Sequence, residues 1–260
     1  MTERDRPVIR SRANPQFRAL LKLATSSRER RKIGKTLLDG EHLLQAYEQA
    51  IGAPELLIVT PQTVATLHRH DHVDSIIVAE ALFAELSPVE TPSGVLALIE
   101  RPQIRVAATG SMIALEAVQD PGNLGAILRS AAAAGFARVL LSPACADAWS
   151  PKTLRAGMGA HFVIPIEERV ELAARLVETP TPTFALTLDG AQSLYQTDLR
   201  GDVIFMFGNE GAGLSDALAA LAGTRVSIPM RGAVESLNVA AAVSVCCFEK
   251  MRQELFSAAK

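Results

Sequence analysis

Three short stretches of this 260-residue chain set glycines beside polar side chains in patterns that can do chemistry. The first is Asp120-Pro-Gly-Asn-Leu-Gly-Ala-Ile-Leu-Arg-Ser-Ala132, directly after an apolar run. Asp-Pro-Gly is turn chemistry, and Asn123 is suited to cap a helix. Arg129 lies four residues past Gly125 and seven past Gly122, so the three share roughly one helix face. The two glycines leave a groove leading to a single guanidinium. A lone charge among Ala, Ile and Leu is costly unless it is paired or binds an anion, so a structural ion pair and an anion site both stay open for Arg129.

The second stretch is Phe205-Met-Phe-Gly-Asn-Glu-Gly-Ala-Gly-Leu-Ser215. Glycines at 208, 211 and 213 let a loop approach a ligand closely and offer it backbone N–H and C=O groups. The same glycines also suit a plain turn at a strand end. The spacing is neither the dinucleotide fingerprint nor the phosphate loop, which would end in Lys-Ser/Thr. The third is Val226-Ser-Ile-Pro-Met-Arg-Gly-Ala-Val-Glu-Ser-Leu-Asn-Val239. Ser236 is a natural helix cap there, with free N–H groups beside it that can bind an oxygen. Capping leaves Asn238 unexplained, a polar residue at the mouth of an apolar helix. Such strand-to-helix crevices are where ligands sit in α/β sheets, so the three corners belong together.

The elements around them follow from periodicity. Residues 15–50 read as helical, with Phe17, Leu20, Leu21 and Leu23, then Leu37, Leu38, Leu43, Leu44 and Tyr47, at spacings of three and four. Leu56–Val59, Ser75–Val78 and 94–99 read as strands, and a linker over 100–111 puts a domain boundary near residue 105, giving units 1–105 and 106–260. Beyond it, strands are expected at 113–118, 138–141, 162–165, 183–188, 203–207 and 226–228, with helices at 123–134, 168–177, 214–220 and 237–251. This alternation implies a mostly parallel sheet covered by helices, an α/β fold. The last helix is apolar or small almost all round from Leu237 to Phe248, which asks for burial inside the domain or in a subunit interface.

Composition narrows the class. At 48% hydrophobic and 21% charged with a net charge of −2, the chain is too apolar and too neutral for disorder. No apolar run approaches the roughly 20 residues of a membrane span, and the charged N-terminus has no signal-peptide pattern. Three cysteines, two of them adjacent, provide neither a disulfide framework nor metal-ligand spacing, so a soluble cytoplasmic protein is expected. Residues 1–35 hold eleven Lys or Arg against three Asp or Glu, a balance of +8 that leaves −10 for the remainder. That asymmetry suits an N-terminal surface for a polyanion, although a solvated helix face explains it too. His68-Arg-His-Asp-His72 is the one histidine cluster, and it suits a solvated loop better than a metal site. No Ser-His-Asp or Cys-His arrangement accompanies the loops, which disfavours a hydrolase.

In order and spacing, the three stretches resemble the signature motifs of the SpoU/TrmH family, S-adenosylmethionine-dependent RNA ribose methyltransferases of the SPOUT superfamily. The first motif is matched at Asn123, Gly125 and Arg129, the second at Gly208, Glu210, Gly211 and Gly213, and the third at Pro229, Gly232, Ser236, Leu237 and Asn238. Leu154-Arg-Ala-Gly-Met-Gly-Ala160 is also similar to a family segment, with Gly157 where members often carry Ser. Residues 8–100 resemble, more loosely, the family's small α/β RNA-binding domain of ribosomal-protein type. The resemblance implies a trefoil knot in the C-terminal domain, a feature that general topology rules would not suggest. It implies a cofactor-binding set of Gly208, Ile228 and Leu237 with Thr187, Glu210 and Gly213, and a homodimer whose last helix lies at the interface.

The chemistry so implied is attack of a ribose 2′-hydroxyl on a sulfonium methyl group, which needs in-line placement and removal of the hydroxyl proton. Arg129 is the family's activating group. A guanidinium is a poor base, so a neighbouring RNA phosphate clamped by Arg129 is an alternative proton acceptor. Asn123, Ser236 and Asn238 would orient the reacting groups, Glu210 would hold the loop or a partner arginine, and no metal is required. Ribosomal RNA is the expected substrate, with transfer RNA second. Arg12, Arg18, Lys22, Arg28, Arg31 and Lys32, within a basic run that extends through 28–32, are candidate phosphate contacts. An RNA-binding homologue that has lost catalysis is the competing reading, and the joint presence of Asn123, Arg129, Ser236 and Asn238 speaks against it. Base methylation on the same scaffold is a third, which the Asn-Arg first motif fits less well.

Overall fold

The computed structural model describes residues 7–64, 73–177, 179–188 and 192–257. Contacts divide the chain into two units, one of 1–103 with 149–162, the other of 104–148 with 163–260. The His68–His72 cluster lies outside the described residues.

The first unit runs β1 (Val8–Ile9), α1 (Pro15–Thr25), α2 (Ser27–Ile33), β2 (Lys35–Asp39), α3 (Glu41–Ala50), β3 (Leu56–Val59), β4 (Ser75–Val78), α4 (Glu80–Leu86) and β5 (Val95–Glu100). Its sheet has the order β1-β4-β3-β5-β2, with β1, β4 and β3 parallel and β5 antiparallel to both neighbours. Phe17, Leu20 and Leu23 on one stripe of α1 pack on Ile58, Val78 and Leu96. Later in the chain, α6 (Pro151–Gly157) returns to this unit, capped by Ser150 and started by a proline that needs no N–H partner.

Two expectations fail in instructive ways. Residues 15–50 are not continuously helical: Gly34, at φ 73, ends α2, and Lys35–Asp39 is a strand paired with β5. Leu37 and Leu38 point to opposite faces and both are buried, and a strand buried on both sides carries an apolar run with no period of two to betray it. The strand expected at 162–165 is displaced as well. Ala160–Phe162 form a 3-10 turn, and β8 (Ile166–Glu167) begins only after Pro165, which has no N–H for the ladder.

The second unit is a seven-stranded parallel sheet in the order β10-β12-β9-β11-β6-β7-β8. It is built from β6 (Met112–Leu115), α5 (Pro121–Ala133), β7 (Arg138–Leu141), β8, α7 (Leu172–Val177), β9 (Thr183–Leu186), β10 (Gln192–Ser193), β11 (Ile204–Phe207), α8 (Asp216–Ala219), β12 (Thr224–Ser227) and α9 (Val239–Ser257). The alternating pattern is a parallel α/β sheet as expected. Met112, Ala114, Ile204 and Met206 turn one face toward Leu172, Leu176 and Leu218 of α7 and α8. On the other, α5 packs on β7 and on α9. From β6 the chain first adds β7 and β8 on one side, then crosses to build β9 to β12 on the other. The loops after β6, β11, β9 and β12 therefore gather at one edge, around a switch in strand order.

Candidate active site

The loop after β6 enters α5 through Asp120. Its Oδ1 accepts the Asn123 N–H at 2.7 Å, and Pro121 fills the first helical position. The cap is therefore Asp120 rather than Asn123, because an Asp just before Pro at the first position already satisfies the free N–H, and the Asn123 side chain is released for other work.

The loop after β11 is closed on itself. Asn209 and Gly213 exchange backbone hydrogen bonds of 3.0 and 2.9 Å, and Asn209 Oδ1 accepts the N–H groups of Gly211 and Ala212. A Cβ on Gly208 would lie 2.0 Å from the carbonyl carbon of Gly213, so no other residue fits without moving the backbone. Three ties bind this loop to the first corner. Asn209 Nδ2 donates to the Ala117 carbonyl at 2.8 Å. Ser215 donates its N–H and hydroxyl to the Glu116 carboxylate at 2.7 and 2.8 Å. The Glu210 carboxylate accepts from the N–H of Gln119 (3.3 Å), the N–H of Asp120 (3.2 Å) and Asn123 Nδ2 (3.1 Å). Burial pushes the Glu210 carboxyl up, but the hydrogen bonds from Asn123 and the backbone outweigh it and hold the group below the ordinary carboxylate range.

The third corner joins the same network. Asn238 Nδ2 donates to Asn123 Oδ1 at 2.9 Å, while Asn238 Oδ1 accepts the N–H groups of Ala240 and Ala241 at 2.9 and 3.4 Å. Asn238, not Ser236, is thus the helix cap, and α9 starts at Val239. One side chain both caps the helix and fastens it to the first corner. Glu210, Asn123 and Asn238 form a continuous relay through all three corners.

Beside the relay lies a cleft of about 590 Å³ walled by Leu186–Leu188, Ser227–Met230 and Gly232–Leu237. Thr187, Ile228, Ser236 and Leu237 line it. Gly208, Glu210 and Gly213 stand in the neighbouring loop rather than in its wall. Among the described residues, 229–237 make no hydrogen bond, so their backbone N–H and C=O groups remain available to a ligand. Arg129 sits on α5 six residues past Asn123, exposed and without an ion pair or hydrogen bond among the described residues. Its charge is not used to hold the fold.

The basic face is more varied than its composition. Arg18 and Lys22 on α1 and Arg28, Arg31 and Lys32 on α2 are exposed, whereas Arg12 is paired with Glu85 at 2.7 Å. Within the 28–32 run, Arg30 is 4% exposed and donates to the carbonyls of Leu23 and Ala24, which removes it as a phosphate contact. Asn209, Glu116 and Ser215 are the site residues that sequence reasoning missed. An Asn before Glu-Gly is a side-chain turn signal. Glu116 gave none, its partner being 99 positions away.

Comparison with known proteins places the SpoU rRNA Methylase family on residues 110–248 and an MRM3-like substrate binding domain on 14–97. The chain is 30% identical over 242 residues to the 23S rRNA (guanosine(2553)-2′-O)-methyltransferase RlmP of Bacillus subtilis, covering 92% of this chain and 97% of that protein. It is 35% identical over 190 residues to the 23S rRNA (guanosine-2′-O-)-methyltransferase RlmB of Xanthomonas campestris, covering 72% of each. Among solved structures it resembles the SpoU methyltransferase AviRb of Streptomyces viridochromogenes in complex with AdoMet (TM-score 0.81, 26% identity, 94% of this chain and 99% of that one). A similar match is the AdoMet-bound rRNA methyltransferase of Sinorhizobium meliloti (TM-score 0.79, 28% identity, 95% and 98%).

Proposed function

The chain belongs to the SpoU rRNA methylase family, and on that premise we propose that it transfers a methyl group from S-adenosylmethionine to a ribose 2′-hydroxyl of structured RNA. The observation that carries the proposal is the Glu210–Asn123–Asn238 relay, which draws three distant corners together at the start of the helix that carries Arg129, an arginine with no partner among the described residues.

The cleft suits the cofactor. Its volume accommodates an adenosyl group, Ile228 and Leu237 offer apolar walls, and the unbonded backbone of 229–237 offers donors and acceptors to adenine and ribose. When bound, S-adenosylmethionine supplies an electrophilic methyl carbon on a sulfonium. The protein's part is to orient, exclude water and handle one proton. Thr187, Ile228 and Leu237 hold the cofactor, and Gly208, Glu210 and Gly213 shape the loop beside it. Asn123, Ser236 and Asn238 orient the attacking hydroxyl. Arg129 clamps an RNA phosphate, and that phosphate accepts the hydroxyl proton, since a guanidinium stays protonated and is a poor base.

Ribosomal RNA is the substrate we favour, with Arg18, Lys22, Arg28, Arg31 and Lys32 contacting phosphates and Arg12 joining them if RNA displaces Glu85. We place a second copy of the chain against α9, where Ala241, Phe248 and Leu255 recur every seven residues on the exposed side, Phe248 at 43% and Leu255 at 62% exposure. The apolar helix is thus buried on one side only, and its open apolar row is what supports the interface. No helix among the described residues is long and apolar enough to cross a membrane, and we place the protein in the cytoplasm, a setting that suits the buried free thiols of Cys246 and Cys247. The test is calorimetric titration with S-adenosylmethionine combined with transfer of a labelled methyl group to ribosomal RNA. Binding and transfer support the proposal, whereas RNA binding without cofactor binding would leave an inactive RNA-binding homologue.

A further inference from the structure

A second cleft lies in the first unit, lined by residues to which no role has been assigned above. It has a volume of about 290 Å³ and is lined by the paired strand residues Val8 and Ile77 and by Arg10, Ser11, Asn14 and Gln16 of the turn into α1. Val8 and Ile77 provide apolar surface of the kind on which a flat ring can lie. The polar side is unusually free. Asn14 Oδ1 caps α1 by accepting from Gln16 and Phe17, and its Nδ2 donor makes no hydrogen bond among the described residues. The side-chain amide of Gln16 and the guanidinium of Arg10 make no hydrogen bond among the described residues. None of the residues lining the cleft is a carboxylate.

The cleft also has a direction. Arg18 and Lys22 follow Asn14 at steps of four, so Asn14, Arg18 and Lys22 form one stripe along α1, and both cations are exposed. A small polar cleft with an apolar floor thus opens at the head of a cationic track. That combination fits one unpaired nucleotide of an RNA strand: the track follows phosphates without regard to sequence, and the cleft reads a base.

We propose that this cleft is a nucleotide-reading site that receives an unpaired base of the RNA substrate, with the amides of Asn14 and Gln16 on the base edge and Arg10 on its phosphate. The inference rests on the reading of RNA as the substrate and deepens it, because it names a single-stranded nucleotide as the feature recognised. Asn14 Nδ2 can donate and the Gln16 amide can donate and accept, which suits a base edge, whereas a site for phosphate alone would need only cations.

Fluorescence anisotropy with two labelled RNAs tests it: a hairpin with an unpaired loop, and a fully paired duplex of the same stem. Wild-type protein should prefer the hairpin. Gln16→Ala and Asn14→Ser, the latter keeping a capping hydroxyl, should each reduce hairpin affinity by about tenfold while leaving duplex affinity and S-adenosylmethionine binding unchanged. Arg18→Ala with Lys22→Ala should instead weaken both RNAs alike and flatten the salt dependence. Competition by free nucleoside monophosphates at micromolar concentration would show a site for free nucleotides and overturn the RNA assignment. Wild-type hairpin preference in the Gln16 and Asn14 variants would overturn the base-reading role while the RNA substrate stands. No binding of either RNA by the wild-type protein would remove the RNA reading itself, and this inference with it.

Discussion

At the scale of single residues, the site separates groups that build it from one that is left free to act. Asn123, Asn238 and Glu210 are tied to each other and to nearby backbone N–H groups, whereas Arg129 has no polar atom committed among the described residues. Replacing Arg129 with Ala should therefore leave the melting temperature and S-adenosylmethionine affinity near wild type and lower methyl transfer by at least about a hundredfold, the scale seen when a charge-handling donor is removed. Equal losses in affinity and turnover would mean instead that Arg129 supports the cleft. Glu210 gives a pH prediction. Its carboxyl is held below the ordinary value of about 4.3, so the loop binds the ionised form. That support is complete above the ordinary value and is lost as pH falls through the lower, folded one. Cofactor affinity should accordingly hold at neutral pH and decline only on acidification below the ordinary carboxylate range, as that carboxyl takes up its proton. In Glu210→Gln, which keeps an acceptor but no charge, the same decline should vanish from a starting affinity about tenfold weaker.

At the scale of elements, each corner is a loop whose shape is enforced locally and then tied to the others. Gly208→Ala puts a methyl group into the backbone of Gly213 and should cost about 2–3 kcal/mol of stability and most cofactor binding, readable by thermal melting and calorimetry. Asn238 separates capping from tying. Asn238→Asp keeps the oxygen that caps α9 and loses the donor to Asn123, so stability should stay close to wild type while methyl transfer falls. Asn238→Ala loses both and should also cost about 1 kcal/mol. Much of this was legible in the sequence, since glycines, caps and a strand before each loop are local signals. What was not legible depends on competition between neighbouring caps and on partners far along the chain. Asp120 took the cap from Asn123, and Asn238 took it from Ser236, because a competing cap nearby or a partner 115 positions away decided the matter. Lys35–Asp39 read as helix because both its faces are buried, a property of the sheet around it and not of its own pattern. Arg30 looked like one more surface cation until its carbonyl partners were in place.

At the scale of the whole molecule, two features reach beyond one active site. The exposed row of Ala241, Phe248 and Leu255 predicts a dimer. Phe248→Asp should shift the protein to a monomer in analytical ultracentrifugation, and a variant that stays dimeric would move the interface elsewhere. The family resemblance also implies a knot, which we propose on that ground alone. Pulled by its two ends, a knotted chain stops short of its contour length, whereas an unknotted one extends to roughly 3.3–3.6 Å per residue. The central claim is that the three corners and Arg129 together methylate a ribose. Mapping 2′-O-methyl groups as alkali-resistant linkages in total RNA tests it most directly, comparing cells that express the wild-type protein with cells that express Arg129→Ala. At least one resistant linkage in ribosomal RNA should be present with the wild-type protein and missing with the variant. An identical pattern of resistant linkages in both would contradict it.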